Sequence, residues 1–210
     1  MKKIYRTLLI ILGILILLGG IYAVVLPILN PPVARKPAVY LYPLQDSFIS
    51  VNLEVNGKII ESIPDYKEGW NVFVTKEGII ENNLDYLFYE AKLNKLTIPK
   101  EGFVVSSSDL DSWFDKNLKE MGLNEKELSQ FKEYWISELN SSKYYIIKLL
   151  SDDFLTQNMN LLVSPTPDTM IRLNFYFKGV DKIVKLEEPV ITTPVRNGFT
   201  VVEWGGILEE

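Results

Sequence analysis

Residues 48–63 read Phe48-Ile-Ser-Val-Asn-Leu-Glu-Val-Asn-Gly-Lys-Ile-Ile-Glu-Ser-Ile63. Ile49, Val51, Leu53 and Val55 alternate with Ser50, Asn52 and Glu54. That period of two belongs to a strand with one face buried. Asn56-Gly57 then interrupts the run. Both residue types tolerate positive φ, and such a pair between two extended runs predicts a two-residue hairpin. The hairpin sets Val55 across from Lys58 and Leu53 across from Ile60. An antiparallel sheet is the expected scaffold.

Further strands are predicted downstream over 70–75, 84–91 and 102–106. The period then changes. Leu110, Phe114, Leu118 and Met121 recur at helical spacing, with Trp113 beside them. Ser108 is the expected N-cap and Gly122 the expected residue past the C-terminus. Asn124 followed by Glu127 predicts a capping box for a second helix, with Leu128, Phe131 and Trp135 on its inner face. Residues 107–139 thus read as a helical hairpin that covers a sheet face or edge. Strands resume over 144–150, 158–164 and 170–177, with Asp152-Asp153 read as a solvated turn between the first two. Pro165-Thr166-Pro167-Asp168 reads as a rigid turn. A last strand, 199–204, is expected to end at Gly205-Gly206. The fold class is α+β: a largely antiparallel β-sheet domain with a two-helix hairpin, preceded by one transmembrane helix.

The preceding helix is read from the N-terminus. Lys2, Lys3 and Arg6 open the chain, and no charged residue lies between Thr7 and Ala34. Residues 7–26, at about 1.5 Å per helical residue, reach roughly the 30 Å of a bilayer core. The rival reading is a signal peptide cleaved after Ala23, but this run is longer than the usual h-region, and Tyr22 spoils the small-x-small pattern. The expected organisation is a cytoplasmic tip and membrane helix over 1–29, a Pro-rich linker over 30–37 and an extracytoplasmic domain over 38–210. Three cations precede the span and Arg35 and Lys36 follow it closely, so the charge bias is small, but a short N-terminal tail stays inside while the large domain crosses, with the membrane as a partner through residues 7–26.

The chain holds 22 Lys and Arg against 27 Asp and Glu. Four of those cations and none of the acids lie in residues 1–35, so the remainder carries 18 cations against 27 acids, a net −9. That balance argues against nucleic acid as a partner. Histidine and cysteine are absent. Ser-His-Asp and Cys-His catalysis, His-ligated zinc and disulfides are thereby excluded. No cofactor or metal motif is read.

Five stretches carry a resemblance: Lys36-Pro-Ala-Val-Tyr-Leu-Tyr-Pro43, Tyr66-Lys-Glu-Gly-Trp70, Tyr86-Leu-Phe-Tyr-Glu90, Pro165-Thr-Pro-Asp168 and Gly198-Phe-Thr-Val-Val-Glu-Trp-Gly-Gly206. Together they resemble an uncharacterised family of bacterial envelope-type proteins, across most of residues 36–206. Tyr89 stands where that family pattern has Trp. The resemblance implies a bacterial, extracytoplasmic, single-domain protein, which with the N-terminal span places it at the bacterial cell membrane, and it supplies no catalytic residue.

Two candidate chemistries remain. Glu90 and Glu203 are acids within aromatic-rich strands, where burial of charge is costly unless paired. As catalytic candidates they would form a carboxylate pair for cell-wall glycan hydrolysis, which needs no histidine. The bland reading makes them structural acids held by backbone donors, Arg172 or Lys92. The second chemistry is recognition. Tyr40, Tyr42, Tyr86 and Trp204 are candidate ligand-binding rings, each with an apolar body and a polar end, for another envelope protein or a cell-wall glycan. Ser129 and Lys132 match S-x-x-K, but the accompanying elements of that motif are missing. A binding or assembly module is the simplest functional reading.

Overall fold

The computed structural model describes residues 31–192 and 194–209. The expected membrane span at 7–26 and the Ala23 alternative lie outside the described residues. Among those described, no helix is long and apolar enough to cross a membrane.

The elements run β1 (Val33–Tyr42), β2 (Ser47–Val55), β3 (Gly57–Ile63), β4 (Trp70–Val74), β5 (Leu87–Leu93), β6 (Phe103–Ser106), α1 (Leu110–Glu120), α2 (Glu125–Glu138), β7 (Tyr144–Leu149), α3 (Asp152–Asn158), β8 (Met159–Ser164), β9 (Thr169–Val180) and β10 (Thr200–Glu209). A large sheet has the order β3-β5-β1-β10-β9-β7-β6, and a small one the order β4-β2-β8. All pairings among the described strands are antiparallel except β9 with β10. The α+β reading therefore holds, with mostly antiparallel sheets.

Three layers result. Alternation along β1 sends Ala38 and Tyr40 toward α1 and α2, and Val39 and Leu41 toward the small sheet. The helix-side core includes Phe114, Phe131, Trp135 and Trp204. The other core joins Ile49, Val51, Val72 and Leu161 of the small sheet to Leu87 and Val201 of the large one, with Phe154 and Leu155 of α3.

The helical hairpin is capped much as its sequence predicts. Leu123 N–H reaches Leu118 O at 3.0 Å and Gly122 N–H reaches Lys119 O at 3.0 Å, with Gly122 at φ 102°. This is the Schellman arrangement that glycine permits. Asn124 and Glu127 form the reciprocal capping box. At the other end, the Ser106 hydroxyl, not Ser108, accepts from Ser108 N–H, and a 3-10 turn over Ser107–Asp109 leads into α1.

Four expectations are corrected. The Asn56-Gly57 hairpin does not form, because β2 belongs to the small sheet and β3 to the large one. Asn56 instead stitches the switch between sheets: its N–H donates to Asn158 O at 3.0 Å and its carbonyl accepts from Asn94 N–H at 2.9 Å. Gly57 is required by contact, since a Cβ there would lie 2.0 Å from the Lys92 carbonyl oxygen. The Pro-rich 30–37 segment is not all linker, for β1 begins at Val33, pairs Ala34 with Ala91 and absorbs Lys36-Pro37 in a register shift. Gly205-Gly206 does not end the last strand. A Cβ at Gly206 would lie 2.7 Å from Trp135 of α2, so glycine is what close helix–sheet packing demands inside β10. Asp152-Asp153 is the first turn of α3, capped by Ser151.

β9 and β10 are parallel neighbours, so the chain must cross back between them. The described residues between 181 and 199 form no helix. Glu187 O accepts from Gly102 N–H at 2.9 Å, and Arg196 donates to Gly122 O at 2.8 Å and pairs with the buried Glu127.

The sheet assignment is tested by crosslinking. Ser50 and Asn71 face each other on the outer side of the small sheet, with side chains 3.4 Å apart. Ser50→Cys with Asn71→Cys is expected to form a disulfide under mild oxidation. Leu53→Cys with Ile60→Cys is expected to stay reduced, and efficient closure of that second pair would contradict the two-sheet arrangement.

Candidate ligand-binding cleft

β5 has two unlike faces. Leu87, Tyr89 and Ala91 point to the sandwich interior. Phe88 and Glu90 point to the helix side, in line with Tyr86 just before the strand. There they meet α2, whose residues Lys126, Gln130, Tyr134 and Glu138 recur every fourth position and so form one ridge. The ridge follows the seam of β1 and β5. Lys126 pairs with Asp85. Gln130 donates to Asp85 at 2.9 Å and accepts from the Tyr40 hydroxyl at 2.7 Å. Glu138 pairs with Arg35 at 3.1 Å. The hydrogen bond from Lys126 holds the Asp85 carboxyl below the usual range.

Tyr134 faces the register shift of β1. Lys36 sits there at φ 54°, in the left-handed region that few non-glycine residues adopt. Its ammonium lies 4.6 Å from the ring centroid of Phe88, 5.0 Å from that of Tyr86 and 5.9 Å from that of Tyr134. Its backbone N–H donates to Glu90 Oε1 at 3.3 Å. Tyr86, Tyr134, Glu90 and Lys36 are all partly exposed, so the cluster borders solvent along the seam of α2 with β5, the candidate cleft. Burial raises the Glu90 carboxyl above its ordinary value and pushes the Tyr134 phenol up to about 12.

The sequence candidates divide between this cleft and the interior. Tyr40 lies 5.2 Å from Tyr86, 6.3 Å from Trp204 and 6.4 Å from Tyr42, centroid to centroid, so the structure does gather the four rings. Tyr40 and Trp204, however, are 1% and 0% exposed, because α2 closes over them and Phe131 packs edge-on against Trp204 at 5.3 Å. They are core rings. Tyr42 and Tyr86 remain partly exposed at the margin.

Glu90 and Glu203 are not brought together. Glu203 is on the opposite face of the large sheet and fully buried. Its carboxylate accepts from Tyr89 at 2.8 Å, from Arg172 Nε at 2.8 Å and from Asn174 at 2.8 Å. Burial, then the Glu203 charge, pushes the Tyr89 phenol well up, so it stays a donor. Two acids on opposite faces of one sheet cannot flank a single glycosidic bond, and the hydrolytic pair is set aside on that geometry. The S-x-x-K match fares no better as chemistry, since Lys132 bridges Asp111 and Asp115 of α1 at 2.8 Å while Ser129 is exposed.

Lys36 and Tyr134 were not legible as site residues. The available signal was the fourfold spacing of Lys126, Gln130, Tyr134 and Glu138, a second stripe beside the apolar one.

No family model matches the chain, and no solved structure matches it. It is similar to a protein of Butyrivibrio fibrisolvens described as an uncharacterised protein in the bglA 3' region, with 43% identity over 61 residues. The match covers 26% of this chain and 64% of that protein.

Glu203→Gln would leave the Arg172 guanidinium, itself 9% exposed at the side chain, without its counter-charge. Removing one partner of a buried pair costs roughly 3–5 kcal/mol. Urea unfolding is expected to show a loss of that order, and a loss no larger than that of a surface substitution would contradict the role assigned to the network.

Proposed function

We propose that this chain is a binding or assembly module of the bacterial cell envelope, anchored by residues 7–26 with its folded domain extracytoplasmic. The anchor rests on the length and purity of the apolar run. The absence of charge from Thr7 to Ala34 supports the span, and the shortness of the tail before it supports the orientation. The resemblance of the Lys36–Pro43 and Gly198–Gly206 stretches to an envelope-type family points the same way.

The observation that carries the binding reading is the cleft. Tyr86 and Tyr134 offer partly exposed apolar faces with hydroxyls, backed by the buried Phe88, around a half-buried carboxylate. Such amphipathic rings at a partly exposed seam are recognition chemistry. They suit another envelope protein or a cell-wall glycan. The buried Arg172–Glu203 pair, by contrast, is sealed and fully engaged.

The anchor predicts that the full chain sediments with membranes, resists carbonate extraction and is digested by protease added outside intact cells. Recovery as a soluble cytoplasmic protein would contradict it. The cleft predicts that the membrane-embedded chain is retained by a wall glycan or an envelope protein on an array, and that Tyr86→Ala weakens retention at least about fivefold, the scale of a truncated interface ring. Retention unchanged by Tyr86→Ala would remove the cleft from the binding surface.

A further inference from the structure

The cleft holds an aromatic cage, and the chain's own Lys36 fills it. We propose that Tyr86, Phe88 and Tyr134 form a receptor for an alkylated ammonium group, with Lys36 as an intramolecular stand-in for that ligand. The proposal rests on the reading of the cleft as a binding surface and names what it recognises.

Three rings from two elements converge within 6 Å of one ammonium nitrogen. The negative ring faces attract a cation most when it is partly desolvated, and cages of this kind suit alkylated ammonium, which gives up little hydration on entry. Glu90 lies beside the rings, where it accepts from the Lys36 backbone N–H at 3.3 Å and sets an acidic group at the edge of the cage. Lys36 enters the cage from a left-handed backbone at a register shift. Strained positions of this sort persist where their surroundings over-determine them, and they gather at ligand clamps and switches. Returning Lys36 to ordinary extended backbone gives its side chain a route out. An incoming ammonium that carries no strained backbone competes with it, and Tyr86 and Tyr134 are both partly exposed.

The test uses the full chain in nanodiscs of anionic lipid. Tetramethylammonium is titrated against wild type and Lys36→Ala, followed through ring resonances or intrinsic fluorescence, and separate nanodiscs carry phosphatidylcholine. Removing the stand-in is expected to tighten binding about tenfold, within the range of a desolvated cation–π contact. Phe88→Leu in the Lys36→Ala background is expected to abolish it. Saturation by free tetramethylammonium assigns the site to soluble ammonium compounds, whereas a response confined to phosphatidylcholine assigns it to a lipid headgroup. The uncharged isostere 3,3-dimethylbutanol is expected to bind far more weakly. Equal binding of that isostere, or no response of folded Lys36→Ala to either ammonium source, would overturn the proposal. In that event, Tyr86-dependent retention on a wall glycan or envelope protein would still uphold the cleft as a binding surface, so the two failures are distinguishable.

Discussion

Strands β1 and β10 lie side by side in the middle of the large sheet, and both faces of each are covered. Residues 38–41 of β1 and 200–207 of β10 are buried throughout. A sheet covered on both sides must be apolar on both sides, and each backbone group in it must find its partner within the ladder. The other layers follow from that. α1 and α2 supply Phe114, Phe131 and Trp135 to one face, and the small sheet with α3 supplies Ile49, Val51 and Phe154 to the other. Gly206 exists in this frame because Trp135 comes too close for a side chain.

The same constraint explains the two acids. Glu203 lies in a strand with no wet face, so its charge survives only because Arg172, Asn174 and Tyr89 converge on it. Glu90 is one strand beyond β1, where α2 no longer seals the helix side. It keeps partial exposure and becomes part of a cleft. Identical residue types in similar aromatic strands thus end up sealed in the core in one place and partly open to solvent in the other. The difference is set by what covers them.

Legibility in the sequence followed solvent. β2 could be read because its outer face is wet, leaving Phe48, Asn52 and Glu54 exposed while Ile49, Val51 and Leu53 are buried. α1 and α2 could be read because caps are local chemistry, and Gly122 and Asn124 act within a few residues of themselves. β10 could not be read to its end, since a strand buried on both faces has no alternation to follow. Asn56-Gly57 has the composition of a hairpin turn, yet the choice between pairing back and crossing to another sheet depends on Asn94 and Asn158, far away in sequence. The cleft was half visible: Tyr86 and Glu90 stood out, but Lys36 gains its meaning only when β1, β5 and α2 meet.

The segment that follows the proposed anchor is itself a core strand, and hydrogen exchange on the full chain reports on it without perturbing the fold. Amides of residues 38–42 and 200–207 should exchange only through global unfolding, as slowly as the slowest in the protein. Exchange of 38–42 at loop rates, while 200–207 stays protected, would contradict the claim.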